Sequence, residues 1–109
     1  MYRIPGEQKL HATPYNAYKG KTDLSGYIKH VDPQFLSNVA GRITLKEEKG
    51  QNVLKMTKEL GRIRRPLLVL IVSHEKYKWR ILDGRNRAGW AMALGFKTVP
   101  IIELELVKI

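Results

Sequence analysis

The stretch Arg80-Ile-Leu-Asp-Gly-Arg-Asn-Arg-Ala-Gly-Trp-Ala-Met-Ala-Leu-Gly-Phe-Lys-Thr-Val-Pro-Ile-Ile-Glu-Leu-Glu-Leu106 decides how this chain folds. Lys78 to Leu82 alternate like a strand, with Trp79 and Ile81 on one face and Arg80 on the other. Asp83-Gly84 then breaks the strand: Asp83 is a natural N-cap, and Gly84 allows a tight turn. A helix is expected over Asn86 to Leu94, ended by Gly95 in a left-handed C-cap. Ala88, Ala91, Met92 and Gly95 fall on one helical face, a spacing that suits close packing on a sheet. Val99 to Leu106 reads as a second strand, with Pro100 near its start.

The chemistry of this stretch lies in the turn. Arg85 and Arg87 stand where a strand ends and a helix begins. Free backbone N–H groups and the positive end of the helix dipole point to the same place. Guanidinium groups add paired donors that match phosphate oxygens. Gly84, Arg85, Asn86 and Arg87 therefore form a candidate phosphate site, with Asp83 as the carboxylate beside it. The plainer alternative is that Asp83 only caps the helix and the arginines only meet water.

Moving upstream, Pro66 to Val72 is the longest apolar run and fits a buried strand over Leu67 to Val72. Ser73 to Lys76 would turn the chain back into Lys78 to Leu82. Arg62, Arg64 and Arg65 precede the buried strand and are costly to place unless they face solvent or an anion. Asn52 can cap a helix that runs to Leu60, with Val53, Met56, Thr57 and Leu60 on its inner stripe. Ala40 to Gln51 reads as a connection. Asp32-Pro33 opens a short helix to about Val39, with Phe35 and Leu36 inward. Tyr27 to Val31 is a short strand. Residues 1–26 show little periodicity and read as a basic N-terminal arm before a domain over 27–109. Tyr15, Tyr18, Lys19 and Lys21 could meet a nucleic acid there by stacking and charge; the alternative is that the tyrosines pack on the domain. Met56 and Met92 occupy expected core positions.

Two motifs in this order resemble the ParB/sulfiredoxin superfamily. Ile81-Leu82-Asp83-Gly84-Arg85-Asn86-Arg87, followed by Ala91-Met92-Ala93-Leu94-Gly95-Phe96-Lys97-Thr98-Val99-Pro100-Ile101, is similar to its Gly-x-x-Arg turn and Ala-Leu-Gly-x-x-x-Val-Pro segment. Gly61 to Val69 is similar to its Gly-x-x-x-Pro-Leu-x-Val segment, with one extra residue between glycine and proline. The resemblance covers about Tyr27 to Val107. It implies a small mixed α/β domain, α+β in its local order, with a mixed sheet flanked by helices. It also implies a site at the turn for phosphates of CTP or ATP with Mg²⁺, or for DNA.

Gly84 and Arg87 match that motif, and Asp83 matches the Asp-Gly-x-x-Arg form of the free serine kinase branch. Arg85 stands where chromosome-partition ParB proteins have Glu and sulfiredoxin has Cys. Asn86 stands where those have Arg or His. The family motif therefore expects Arg87 to matter more than Arg85. No helix-turn-helix pattern is read within these 109 residues, so sequence-specific recognition of that type is not expected from them. The resemblance is to small stand-alone domains of phages, archaeal viruses and plasmids.

Composition narrows the function. The 109 residues hold 20 Lys and Arg against 10 Asp and Glu, a formal charge of +10. Ten of those basic residues and three acids fall between Lys55 and Arg87, so this third of the chain carries +7. Such clustering favours a polyanionic partner, nucleic acid and most simply DNA. Arg62, Arg64, Arg65, Lys78 and Arg80 are the candidate contacts. There is no cysteine, which excludes disulfides, thiol nucleophiles and sulfiredoxin chemistry. His11, His30 and His74 have no metal-ligand spacing, so no metal site is expected. No apolar run reaches transmembrane length and no signal-like segment opens the chain, so a cytoplasmic protein without membrane contact is expected. If the chain is an enzyme, Asp83 is the candidate general base for phosphoryl transfer, nucleotide hydrolysis or DNA cleavage. A protein-binding adaptor that uses the basic face, or a homodimer, is the remaining partner expectation.

Overall fold

The computed structural model describes residues 1–39, 55, 65–72 and 75–108. The helix expected from Asn52 to Leu60, the connection before it, Arg62, Arg64 and the tip of the 73–76 turn lie largely outside the described residues.

The described elements are β1 (Tyr2–Arg3), α1 (Pro14–Tyr18), β2 (Ile28–Val31), β3 (Leu36–Ser37), β4 (Leu67–Ile71), β5 (Trp79–Asp83), α2 (Arg85–Ala93) and β6 (Val99–Leu106). They build a mixed α/β domain on a six-stranded mixed sheet. Its order is β1-β6-β4-β5-β3, and β2 also pairs with β6. β4 runs parallel to β6, with Leu67 opposite Ile101. β4 and β5 form an antiparallel hairpin with a register shift between Leu68 and Val69. The connection from β5 through α2 to β6 thus passes over β4, and it places the start of α2 at one end of the sheet.

Alternation along β6 divides two cores. Val99 and Ile101 face α2 with Leu67, Val69, Ile81, Ala88 and Ala91. Ile102 and Leu104 face the other way, onto Ile4, Ala17 and Tyr18. Both faces of β6 are apolar because both are covered, one by each helix.

Several local expectations change. Pro33–Phe35 makes only a single 3₁₀ turn, capped by the Asp32 side chain accepting from the Gln34 N–H. Leu36 and Ser37 then pair in parallel with Trp79 and Arg80 instead of continuing a helix. The ladder offers these groups hydrogen bonds that a short isolated helix could not match. Met92 is not a core residue: it is 49 % exposed, while neighbouring Trp90 is buried. Only Ala88 and Ala91 of the expected face meet the sheet core, because their small side chains let α2 lie close to it.

The N-terminal residues are more regular than an arm. β1 pairs antiparallel with β6, and Ile4, Ala17 and Tyr18 are buried. Thr13 caps α1 by accepting from the Asn16 N–H. Tyr18 donates its hydroxyl to the Glu103 carbonyl at 2.7 Å. Burial, with the Glu7 carboxylate second, holds that hydroxyl well above its ordinary pKa. Tyr18 is therefore a packing residue and no stacking platform, while Tyr15 stays exposed.

Candidate phosphate and nucleic-acid site

The turn between β5 and α2 is built on Gly84. Its φ of 104° is the left-handed region that side chains resist. A Cβ there would lie 2.5 Å from Leu67 Cδ2 and 2.9 Å from Arg87 Nη2. Gly84, not Asp83, occupies the N-cap position, and no side chain caps the helix. Asp83 is instead the last residue of β5, opposite Leu68. The pairing extends one residue further than the sequence signal, so the aspartate completes a ladder. The first N–H groups of α2 are left without a side-chain cap, which is the arrangement an anion can use.

The two arginines of the turn differ. Arg87 folds back over it. Its Nη1 donates to the carbonyls of Arg65 at 3.0 Å and Pro66 at 3.2 Å, and its Nη2 to the Asp83 carboxylate at 3.2 Å. The Arg87 side chain is 16 % exposed, that of Asp83 71 %. Burial is the largest influence on the Arg87 guanidinium and lowers its pKa; the Asp83 charge opposes it. Arg85 is exposed, and its Nε donates to the Asn38 carbonyl at 2.8 Å. Asn38 has φ of 68° and its amide reaches the Ile81 carbonyl at 3.4 Å. Sequence reading missed Asn38. The available signal was its residue type, since Asn is the side chain that most readily takes this conformation.

A cleft of about 590 Å³ lies beside Arg85, between Leu36, Ser37, Asn38 and Val39 on one side and Gly89 and Met92 on the other. Arg85, Gly89 and Met92 are spaced i, i+4, i+7 and share one face of α2.

The structure gathers Asp83, Gly84, Arg85, Arg87 and Arg65 at one end of the sheet. Half-buried Asn86 sits in the first turn of α2. Lys78 is at the other end of β5, about 16 Å from Asp83 at roughly 3.3 Å per residue, where its ammonium lies over the Phe35 ring. Arg80 is exposed. By the alternation of β5 it lies on the face opposite Ile81, away from α2. Among the described candidate contacts, Arg65 adjoins the turn, while Lys78 and Arg80 lie apart from it. Among the described residues no three His, Cys, Asp or Glu side chains group to hold a metal ion. No described helix is long and apolar enough to cross a membrane.

A glycine-opened helix at the end of a hairpin strand, crossing to a strand parallel to the first, defines a small mixed α/β class. Solved structures narrow it. The chain is similar to C-terminally truncated chromosome-partitioning protein ParB from Caulobacter crescentus complexed with CTP-gamma-S. The identity is 26 %, covering 74 % of this chain and 46 % of that one, with a TM-score of 0.56. It is similar to the same protein complexed to the centromeric parS site, with 27 % identity, 73 % and 42 % coverage and a TM-score of 0.53. SbnI with C-terminal truncation from Staphylococcus aureus shares the fold at 24 % identity, 72 % and 30 % coverage and a TM-score of 0.55. The chain thus spans less than half the length of the solved chains it matches. No family model matches, and no curated protein sequence matches. The chain has the ParB-like fold of these solved structures.

Proposed function

We propose that this domain binds nucleic acid, most simply DNA, by engaging phosphates at the Asp83-Gly84-Arg85-Asn86-Arg87 turn and along a basic surface that includes Arg62, Arg64, Arg65, Lys78 and Arg80. The observation that carries the reading is the uncapped start of α2 with exposed Arg85 and Arg65 beside it. The +7 charge between Lys55 and Arg87 supports it. So does the ParB structure complexed to parS. Contacts of this kind read the backbone and carry little sequence preference.

Fluorescence anisotropy with labelled duplex and single-stranded oligonucleotides tests this. Binding is expected at about 50 mM salt and should weaken ten-fold or more by about 200 mM, because each phosphate contact releases counterions. Absence of binding at the lower salt would overturn the reading.

A second reading has its own observation. The cleft lined by Asn38, whose carbonyl Arg85 holds, has the size and the mixed lining of a nucleotide pocket, and one of the ParB neighbours is complexed with CTP-gamma-S. Isothermal titration with CTP, ATP and ADP in Mg²⁺ distinguishes it. Mg²⁺ is commonly held by one or two carboxylates together with substrate phosphates, and Asp83 is the carboxylate at the turn. If the domain only binds, Asp83→Asn should keep its ligand affinity and its melting temperature, since the exposed carboxylate makes a single ion pair. If Asp83 is a general base or metal ligand, turnover in wild type should fall by orders of magnitude in the same variant. Phosphate release and DNA cleavage with Mg²⁺ measure the difference.

A further inference from the structure

Arg87 is surrounded by acceptors that belong to the protein. Two are main-chain carbonyls of Arg65 and Pro66, just before β4, and the third is the Asp83 carboxylate at the end of β5. A guanidinium has five N–H donors in one plane, and this fork is spread across two chain segments. Its Nη2 lies so close over the turn that a side chain at position 84 would strike it. Arg85, by contrast, is exposed and is anchored through Nε, with no described partner for its two Nη groups. We propose that Arg87 is a positioning residue, a strut that holds the Arg65–Pro66 segment against the turn, and that the direct phosphate contact at the turn is made by Arg85. This rests on the reading that the turn faces phosphate.

The physical reason is competition. A phosphate that captured the Arg87 guanidinium would take it from two carbonyls, of which that of Pro66 is part-buried and so costly to leave unpaired. Arg85 can meet an anion with its Nη groups while its Nε bond to Asn38 fixes the side-chain direction. The strut also sets the distance between exposed Arg65 and exposed Arg85, which lie twenty residues apart in sequence.

The test uses the full chain and a labelled DNA duplex, titrated at several salt concentrations, with a thermal melt of each variant. Arg85→Gln should reduce the slope of log affinity against log salt by about 0.9, one phosphate contact, with its melting temperature unchanged. Arg87→Gln should melt several degrees lower and lose affinity at every salt while keeping the wild-type slope. Arg87→Lys retains charge but cannot span three acceptors, so it should lose about ten-fold in affinity. Its binding also decides the matter should Arg87→Gln fail to fold. Wild-type affinity in Arg87→Lys, or a slope lowered by one contact in Arg87→Gln without a change in melting, would overturn the proposal. If wild type binds no DNA, the nucleic-acid reading fails by itself. The strut is then decided by the melts alone: Arg87→Gln must melt below Arg85→Gln, and equal temperatures overturn it.

Discussion

Gly84→Ala should destabilise the domain by about 2–4 kcal/mol, a fall of roughly 10–20 °C in melting temperature for a chain of this size. Two independent causes act. The backbone at φ 104° is strained for any residue with a Cβ. The new methyl would also sit 2.5 Å from Leu67 Cδ2, and Leu67 is fully buried with little room to move. Arg87, 2.9 Å away, would have to give up part of its position. Because the turn positions Arg85 and Arg87, DNA affinity should fall together with stability. Thermal melting by circular dichroism checks this; a shift of less than about 2 °C would show that the turn is not the strained joint described.

Leu67→Ala should cost about 2–5 kcal/mol, within the range for a fully buried leucine in a packed core. Leu67 lies opposite Ile101 and packs with Val69, Ile81, Ala88 and Ala91 between the sheet and α2. A cavity there loses contacts on the sheet face under α2. The two substitutions should not add. Truncating Leu67 removes the atom that a Cβ at position 84 would strike, so the double variant should be about 1 kcal/mol or more better than the sum. Denaturant unfolding of wild type, both single variants and the double variant gives the coupling. Simple additivity would mean that strain at φ 104°, and not the clash, sets the cost of Gly84→Ala.

What could be read from residues alone is what neighbours in sequence determine. Gly84 and Gly95 marked the two ends of α2, and both have positive φ. A left-handed residue at a helix boundary is a local demand, and glycine meets it wherever the chain goes next. Val99–Leu106 is the strand expected, since its length and composition are strand-like in any context. The Gly-x-x-Arg motif located the turn, and the charge count pointed to a polyanion.

The other outcomes depend on partners distant in sequence. Asp83 had every local property of an N-cap, yet it became the end of β5 because Leu68 stands opposite it. Leu36 and Ser37 left a helical pattern because Trp79 and Arg80 offered a parallel ladder more than forty residues away. Trp90 was buried and Met92 exposed because the choice of helix face belongs to what covers α2 and not to α2 itself. β1 has only Tyr2 and Arg3, far too short to signal a strand, and it forms by pairing with Leu106 and Glu105 at the opposite end of the chain. Arg85 and Arg87 are alike as letters. Only the folded position of the Arg65 and Pro66 carbonyls turns one inward and leaves the other facing solvent. A side chain's hydrogen bonds go to whichever acceptors the fold brings within about 3 Å, and those acceptors lie outside any local window of sequence.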